Sequence, residues 1–300
     1  VTDDTTIHDT MLSRFETGRG FLAALDQSGG SSPKALQLYG IEPSEYSGDE
    51  QMFDLIHAER VRIMTDPAFT SERILAAILF EDTLGREIEG KGVAEWLWAT
   101  KGIVPILKID KGLRDEADGV QLMRDIPDLG DLLGRAKAAG ALGTKERSVI
   151  HAADEGGIAQ IVDQQFDLAS TVLDAGLLPI LEPEVDIHAP DKAAAEEQLK
   201  ARILEHLAGL GDRKVAVKIS IPSVDDFYAD LIAHRNVARV VALSGGYSRE
   251  DADERLARNH GLIASFSRAL LDGLSVHQTD QEFHATLEAS IAAIYKASLT

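Results

Sequence analysis

Residues 214–220 read KVAVKIS, and the one charged side chain inside this apolar run points to the architecture. Successive side chains of a β-strand face opposite ways, so Val215, Val217 and Ile219 share one face while Ala216, Lys218 and Ser220 share the other. In a closed barrel the branched residues turn outward to a helical layer, which leaves Lys218 on the inner face near the top. A buried ammonium is costly, so such a lysine either pairs with an acid or gives up its proton readily. A structural lysine in an internal ion pair fits this run as well as a nucleophile that attacks a ketone to form an imine.

Working outward, similar short runs rich in Val, Ile, Leu and Ala occur at Gly20–Asp26, Ile74–Glu81, Gly102–Asp110, Gly140–Lys145, Leu177–Glu184, Val237–Ser244 and Gly261–Ser265. With Lys214–Ser220 they make eight, each the length of a buried parallel strand. Segments with helical spacing lie between them, among them Glu50–Met64, Gln164–Leu173, Ala193–Leu210 and Glu250–Asn259. Strands alternating with helices imply a parallel sheet with right-handed crossovers, either an open doubly wound sheet or a closed (β/α)₈ barrel. The positions of the polar residues favour the barrel. Asp26, Glu81, Lys108 with Asp110, Lys145, Glu182 with Glu184, Lys218 and Ser244 stand at strand ends, and Arg268 lies just past the eighth. In a TIM barrel these ends converge on one mouth, where active sites sit. No linker or break in composition divides the chain, so residues 1–300 are expected to form a single domain.

The composition narrows the functional classes. Thirty basic residues against fifty acidic ones give a net charge of −20, which repels nucleic acid and anionic membranes over most of the surface. A pocket for an anionic substrate can still be locally positive. There is no cysteine, so disulfide scaffolds, thiolate zinc sites and cysteine nucleophiles are all excluded. No apolar run approaches the ~18 residues of a membrane span, and Val1 to Thr10 is polar and acidic rather than a signal peptide. A cytoplasmic protein is expected. The sequence is also compatible with a homo-oligomer.

Three cations converge on the mouth in this reading. In IVPILKIDKG (103–112), Val104, Ile106, Lys108 and Asp110 share a face, and GTKER (143–147) supplies Lys145, with Arg147 two residues on. A neighbouring cation can activate a nucleophilic lysine or bind phosphate. Glu182 and Glu184 in LPILEPEV (178–185) share a face, and Asp26 closes the first strand. Imine formation and carbon–carbon cleavage both need proton transfers, so one of these carboxyls is expected to act as acid and base. For Glu184 a lysine-positioning ion pair is the simpler reading. Ser244-Gly245-Gly246 and Ser28-Gly29-Gly30-Ser31 are glycine turns suited to phosphate, with Ser265 and Arg268 near the first. The nine histidines fall mostly in expected helices and loops, with no metal-ligand pair at a strand end, which disfavours a metal cofactor.

Taken together, these residues resemble the class I fructose-bisphosphate aldolases, most closely their bacterial branch. The likeness spans nearly the whole chain through ALDQSGGSSPKAL (24–36), EDTLGREIEGKG (81–92), LKIDKGL (107–113), GTKERS (143–148), LPILEPEV (178–185), VKIS (217–220), VALSGGYSR (241–249) and ASFSRAL (264–270). The resemblance implies reversible cleavage of fructose 1,6-bisphosphate, a phosphorylated sugar, through a lysine imine and without a metal. It implies Lys218 as the Schiff-base lysine, Glu182 as the proton-transfer group, Asp26 at the C4 hydroxyl, and Lys108 and Lys145 in support. Ser244, Gly245 and Arg268 match the C1-phosphate site, and Ser28 and Ser31 border the other phosphate. Gln27 replaces a glutamate common in relatives, Glu146 stands where animal enzymes carry an aromatic residue, and Lys296-Ala-Ser-Leu-Thr300 lacks their terminal tyrosine, leaving Glu182 as the candidate to protonate the enamine. The same residues would suit an epimer such as tagatose 1,6-bisphosphate, or a non-catalytic sugar-phosphate-binding protein. The intact Lys218, Glu182 and Asp26 favour an enzyme.

Overall fold

Strands β1 (Phe21–Leu25), β2 (Ile74–Leu79), β3 (Val104–Lys108), β4 (Gly143–Ile150), β5 (Leu178–Val185), β6 (Val215–Ser220), β7 (Val237–Leu243) and β8 (Ile263–Phe266) build the centre of the computed structural model, which describes residues 4–28 and 30–300. Each pairs in parallel with its successor, and β8 returns to β1, closing the (β/α)₈ barrel expected above. Lys108 stands directly opposite Lys145 across the β3–β4 pairing.

Period-two alternation sorts the apolar residues into two cores. Leu22, Ala24, Ile78, Ile106, Ile180 and Ala216 point inward and fill the barrel. Val215, Val217 and Ile219 point outward, as do Leu107 and Leu181, and pack against the surrounding helices. Those include α1 (Asp4–Thr17), α2 (Ser32–Tyr39), α3 (Gly48–Thr65), α4 (Leu129–Ala138), α5 (Glu155–Asp174), α6 (Lys192–Leu207), α7 (Arg249–Leu256) and α8 (Asp280–Ala297). Helix α1 belongs to the inner core instead, because Met11 and Phe15 plug the barrel floor. Arg239 of β7 fastens it by donating from Nε to the Phe15 carbonyl at 3.0 Å and from Nη2 to Gly18 at 2.9 Å. The C-terminal carbonyls of a helix lack intrahelical partners, so a guanidinium there is favoured by hydrogen bonding and dipole alike. Among the described residues no helix is long and apolar enough to cross a membrane.

Two elements run further than periodicity indicates. Helix α5 begins at Glu155, nine residues before the expected start at Gln164, because Asp154 caps it by accepting from the Gly157 N–H at 2.8 Å. Gly156 and Gly157 mask that start in the sequence, and Gly157 is needed because a Cβ there would lie 2.2 Å from the Asp118 carbonyl oxygen. Strand β4 does not end at Lys145 but continues to Ile150. Its polar stretch alternates between two buried settings: Lys145 enters the barrel mouth, whereas Glu146 enters the wall beside Thr144, Ser148 and Gln165 of α5. Glu146 therefore belongs to a strand and not to a loop after it.

Glu146 is fully buried, with Thr144 Oγ1 at 3.2 Å from Oε2 and, among the described residues, no hydrogen-bond partner for Oε1. Burial pushes its carboxyl well above the usual range; the Thr144 hydrogen bond opposes the shift only in part. A carboxyl with a raised folded pKa destabilises the fold increasingly as pH rises above its unfolded value of about 4.5, because the unfolded chain releases the proton more easily. Glu146→Gln should therefore raise the melting temperature at neutral pH by a few degrees. The gain should shrink towards about pH 4.5. A pH-independent difference, or a loss of stability, would contradict a neutral Glu146.

Candidate active site

The inner face that is apolar at mid-barrel becomes ionic one step higher. Leu22 and Ala24 lead to Asp26 on β1, Val104 and Ile106 to Lys108 on β3, Leu178 and Ile180 to Glu182 on β5, and Ala216 to Lys218 on β6. Together with Lys145 from β4 they form the floor of a cavity of about 530 Å³ at the C-terminal mouth.

Lys145 is the hub. Its Nζ lies 2.7 Å from Asp26 Oδ2 and 2.7 Å from Glu182 Oε2. Glu182 Oε1 lies 3.0 Å from Lys218 Nζ, so this carboxylate bridges two ammonium groups. Its Oε2 meets Lys145 as an ionic contact outside hydrogen-bond alignment. Lys108 pairs with Asp110 at 2.8 Å and donates to Ser28 Oγ at 3.3 Å. Burial alone would discharge these groups, yet their mutual charges outweigh it. Burial pushes the Asp26 pKa up, but Lys145, Lys218 and Lys108 together hold it well below the usual carboxylate range. Glu182 is lowered in the same way, by Lys145 and Lys218 against burial. Burial opposes the charge of Lys145, but Asp26, Glu182 and Asp110 keep it firmly protonated. Two ionised carboxylates are thus available as bases, one of them in contact with Lys218.

The two ends of the cavity differ. At one end Ser244, Gly245, Ser265 and Arg268 line the wall. Gly245 has φ +62° and Gly246 φ +117°, and among the described residues neither N–H has a hydrogen-bond acceptor. Free backbone N–H groups in such a turn suit an anion. Gly246 itself stands behind the lining, against Ile187 and Arg268. At the other end are Ser28, Gly30 and Ser31, while Gly29 lies outside the described residues. There Ser31 Oγ accepts from the Ser28 N–H at 3.0 Å, tightening the turn. Arg147 lines the cavity with its Nε 2.5 Å from Glu184 Oε2, so Glu184 positions a cation, an arginine rather than the lysine considered above.

The structure corrects two placements. Glu81 starts a short helix after β2 and holds Lys111 and Arg135, each at 2.6 Å, away from the cavity. Because β4 runs to Ile150, His151 does stand at a strand end, where its Nδ1 is 3.2 Å from Asp186 and its Nε2 2.9 Å from Gln121. Among the described residues no group of three His, Cys, Asp or Glu side chains is placed to hold a metal ion. Sequence reasoning missed Lys34, Glu59 and Ser267 as lining residues. Lys34 follows the Ser28–Ser31 turn and was within reach of inspection. Ser267 accepts from Gln27 Nε2 at 2.7 Å, a contact between β1 and β8 that only barrel closure creates.

Residues 7–217 match the family described as fructose-bisphosphate aldolase class-I. The chain is 58% identical over 290 residues to fructose-bisphosphate aldolase class 1 of Synechocystis sp., covering 96% of this chain and 97% of that one. It is 56% identical to the enzyme of the same name from Porphyromonas gingivalis, covering 96% and 98% of the two chains. For that of Clostridium acetobutylicum the identity is 54%, with 98% and 100% covered. Among solved structures, fructose-bisphosphate aldolase from Plasmodium falciparum superposes with a TM-score of 0.75 at 22% identity, covering 98% of this chain and 94% of that one, a likeness of fold.

The packing of the Ser244 turn gives a direct test of its role. A Cβ at Gly245 would lie 2.5 Å from Ile187 Cγ2, in a backbone conformation that L residues rarely adopt. Gly245→Ala should displace the turn and weaken inorganic phosphate binding, followed by calorimetry, by about tenfold or more. Adding Ile187→Ala should recover part of that loss. Unchanged phosphate affinity in the single variant would move the anion site elsewhere.

Proposed function

The chain belongs to the class I fructose-bisphosphate aldolase family, and on that premise we propose how its residues divide the reversible cleavage of fructose 1,6-bisphosphate into dihydroxyacetone phosphate and glyceraldehyde 3-phosphate. The observation that carries the proposal is the contact between Lys218 Nζ and Glu182 at 3.0 Å, within a mouth that also holds Lys108 and Lys145.

Glu182 takes a proton from the Lys218 ammonium, and the free amine attacks C2 of the ketose. The protonated Glu182 then donates to the carbinolamine hydroxyl, which leaves as water and gives the iminium. That cation draws electrons from the C3–C4 bond. Asp26, kept ionised by the lysines around it, accepts the C4 hydroxyl proton as the bond breaks and the aldehyde departs. Asp26 hands that proton on through the Lys145 ammonium, 2.7 Å from both carboxylates, to Glu182, which delivers it to C3 of the enamine left on Lys218; hydrolysis of the resulting iminium restores the lysine. Lys145 keeps Asp26 and Glu182 apart as charges and together in space. Lys108 faces the Ser28 turn, where it supports the second phosphate, while Ser244, Gly245, Ser265 and Arg268 take the C1 phosphate. Ser28, Ser31 and Arg147 complete the binding groups.

The iminium is the electron sink in this scheme, so no metal takes part. The reaction belongs to glycolysis and gluconeogenesis, which places the protein in the cytoplasm, with residues 1–300 acting as one catalytic domain.

Cleavage of fructose 1,6-bisphosphate, followed by a coupled assay, should survive exhaustive treatment with EDTA; loss on chelation with recovery on zinc would overturn the scheme. Glu182→Gln keeps the side-chain shape but cannot exchange protons. It should lower kcat by about 10²–10⁴-fold with little change in KM. An unaffected kcat would shift the proton transfers to Asp26 or Glu184.

A further inference from the structure

Helix α3 brings to the cavity a carboxyl group that the cleavage scheme does not use. Glu59 is 6% exposed and lines the cavity, yet among the described residues it has no hydrogen-bond or ion-pair partner. Its carboxyl oxygens open onto the cavity and are not enclosed by protein, which leaves them free to meet a ligand there. The obvious internal partner is already engaged. Arg60, the next residue, turns its guanidinium to the Gln27 carbonyl at 2.6 Å and to Thr83 Oγ1. That bond ties α3 to the start of the Ser28–Ser31 turn, and Glu59, Ser28 and Ser31 line the same cavity. From α2, Tyr39 packs nearby, its hydroxyl accepting from Arg62 at 3.3 Å. Lys34, Asp26, Arg268 and Asp272 are the other charged groups along the cavity wall towards this face.

Resting on the aldolase reading above, we propose that Glu59 is a proton-carrying binding residue for the phosphate that docks beside Ser28 and Ser31. Protonated, the carboxyl donates its O–H to a phosphate oxygen; ionised, it has no proton to give and repels the dianion. Burial pushes its pKa up to about 7, against the opposing charge of Arg60, so the switch falls within the neutral range. Affinity for the second phosphate therefore weakens as pH rises through that value, whereas binding of the C1 phosphate at Ser244 does not depend on Glu59.

KM values for fructose 1,6-bisphosphate and fructose 1-phosphate, which lacks the second phosphate, separate the two ends. The ratio of the first KM to the second should rise about fivefold between pH 6 and pH 8 in the unaltered enzyme, because the protonated fraction of a group with pKa near 7 falls about tenfold and the growing dianion fraction of the substrate offsets about twofold of that. The substrate phosphate's own second ionisation, near about 6, acts in the opposite direction. In Glu59→Gln, whose amide is always a donor, the ratio should stay low and lose this rise. A flat ratio in the unaltered enzyme, or an equal rise in the variant, would overturn the role of Glu59. Failure of the unaltered enzyme to cleave either sugar would instead overturn the aldolase reading itself.

Discussion

Lys145 Nζ lies 2.7 Å from Asp26 and 2.7 Å from Glu182 in the interior of a closed barrel, where water cannot share the work of solvating the charges. Each of these ions would be expensive to bury alone, and removing one partner of a buried pair typically costs about 3–5 kcal/mol. The network is stable because its members balance: Lys108, Lys145 and Lys218 face Asp26, Asp110 and Glu182. That balance keeps both carboxylates, Asp26 and Glu182, ionised despite full burial. It also distinguishes the lysines by position. Lys145 is clamped between two acids, Lys108 is paired with Asp110, and Lys218 contacts one carboxylate at the cavity floor.

Such a network needs a rigid frame, and the barrel supplies one through its two cores. The inner core is dry, closed below by Met11 and Phe15 of α1, and its apolar side chains end just beneath the ions. The outer core fixes the strands against the helices, so that period-two alternation turns their charged residues into the mouth: Lys108 stands opposite Lys145, while Glu182 stands opposite Arg147, two residues beyond Lys145. Preorganised charges of this kind stabilise developing charge without reorganising at the moment of reaction. The turns after β1 and β7 line the same cavity above these ions.

Much of this was legible in the sequence because strand chemistry is local. KVAVKIS and IVPILKIDKG show by alternation alone which residues turn inward, and the structure places Lys218, Lys108 and Asp110 accordingly. Features that depend on tertiary partners were not legible. Strand β4 was cut short at Lys145 because Glu146, Arg147 and Ser148 look like a polar loop; only the buried partners Thr144 and Gln165 reveal a strand with polar groups on both faces. Helix α5 was entered late because its first turn carries two glycines, one of them required by close packing. Glu59 resembles any other charge on an amphipathic helix until the fold turns it towards the cavity.

The identity of the imine-forming lysine is the central claim, and reductive trapping addresses it most directly. Borohydride added to the enzyme with dihydroxyacetone phosphate should fix the adduct's mass on the peptide that contains Lys218. Lys218→Arg, which keeps the charge but loses the nucleophile, should fold and bind phosphate yet show neither trapping nor cleavage. A label on Lys108 or Lys145 would contradict the assignment of Lys218, and an active enzyme that traps nothing would contradict the Schiff-base mechanism.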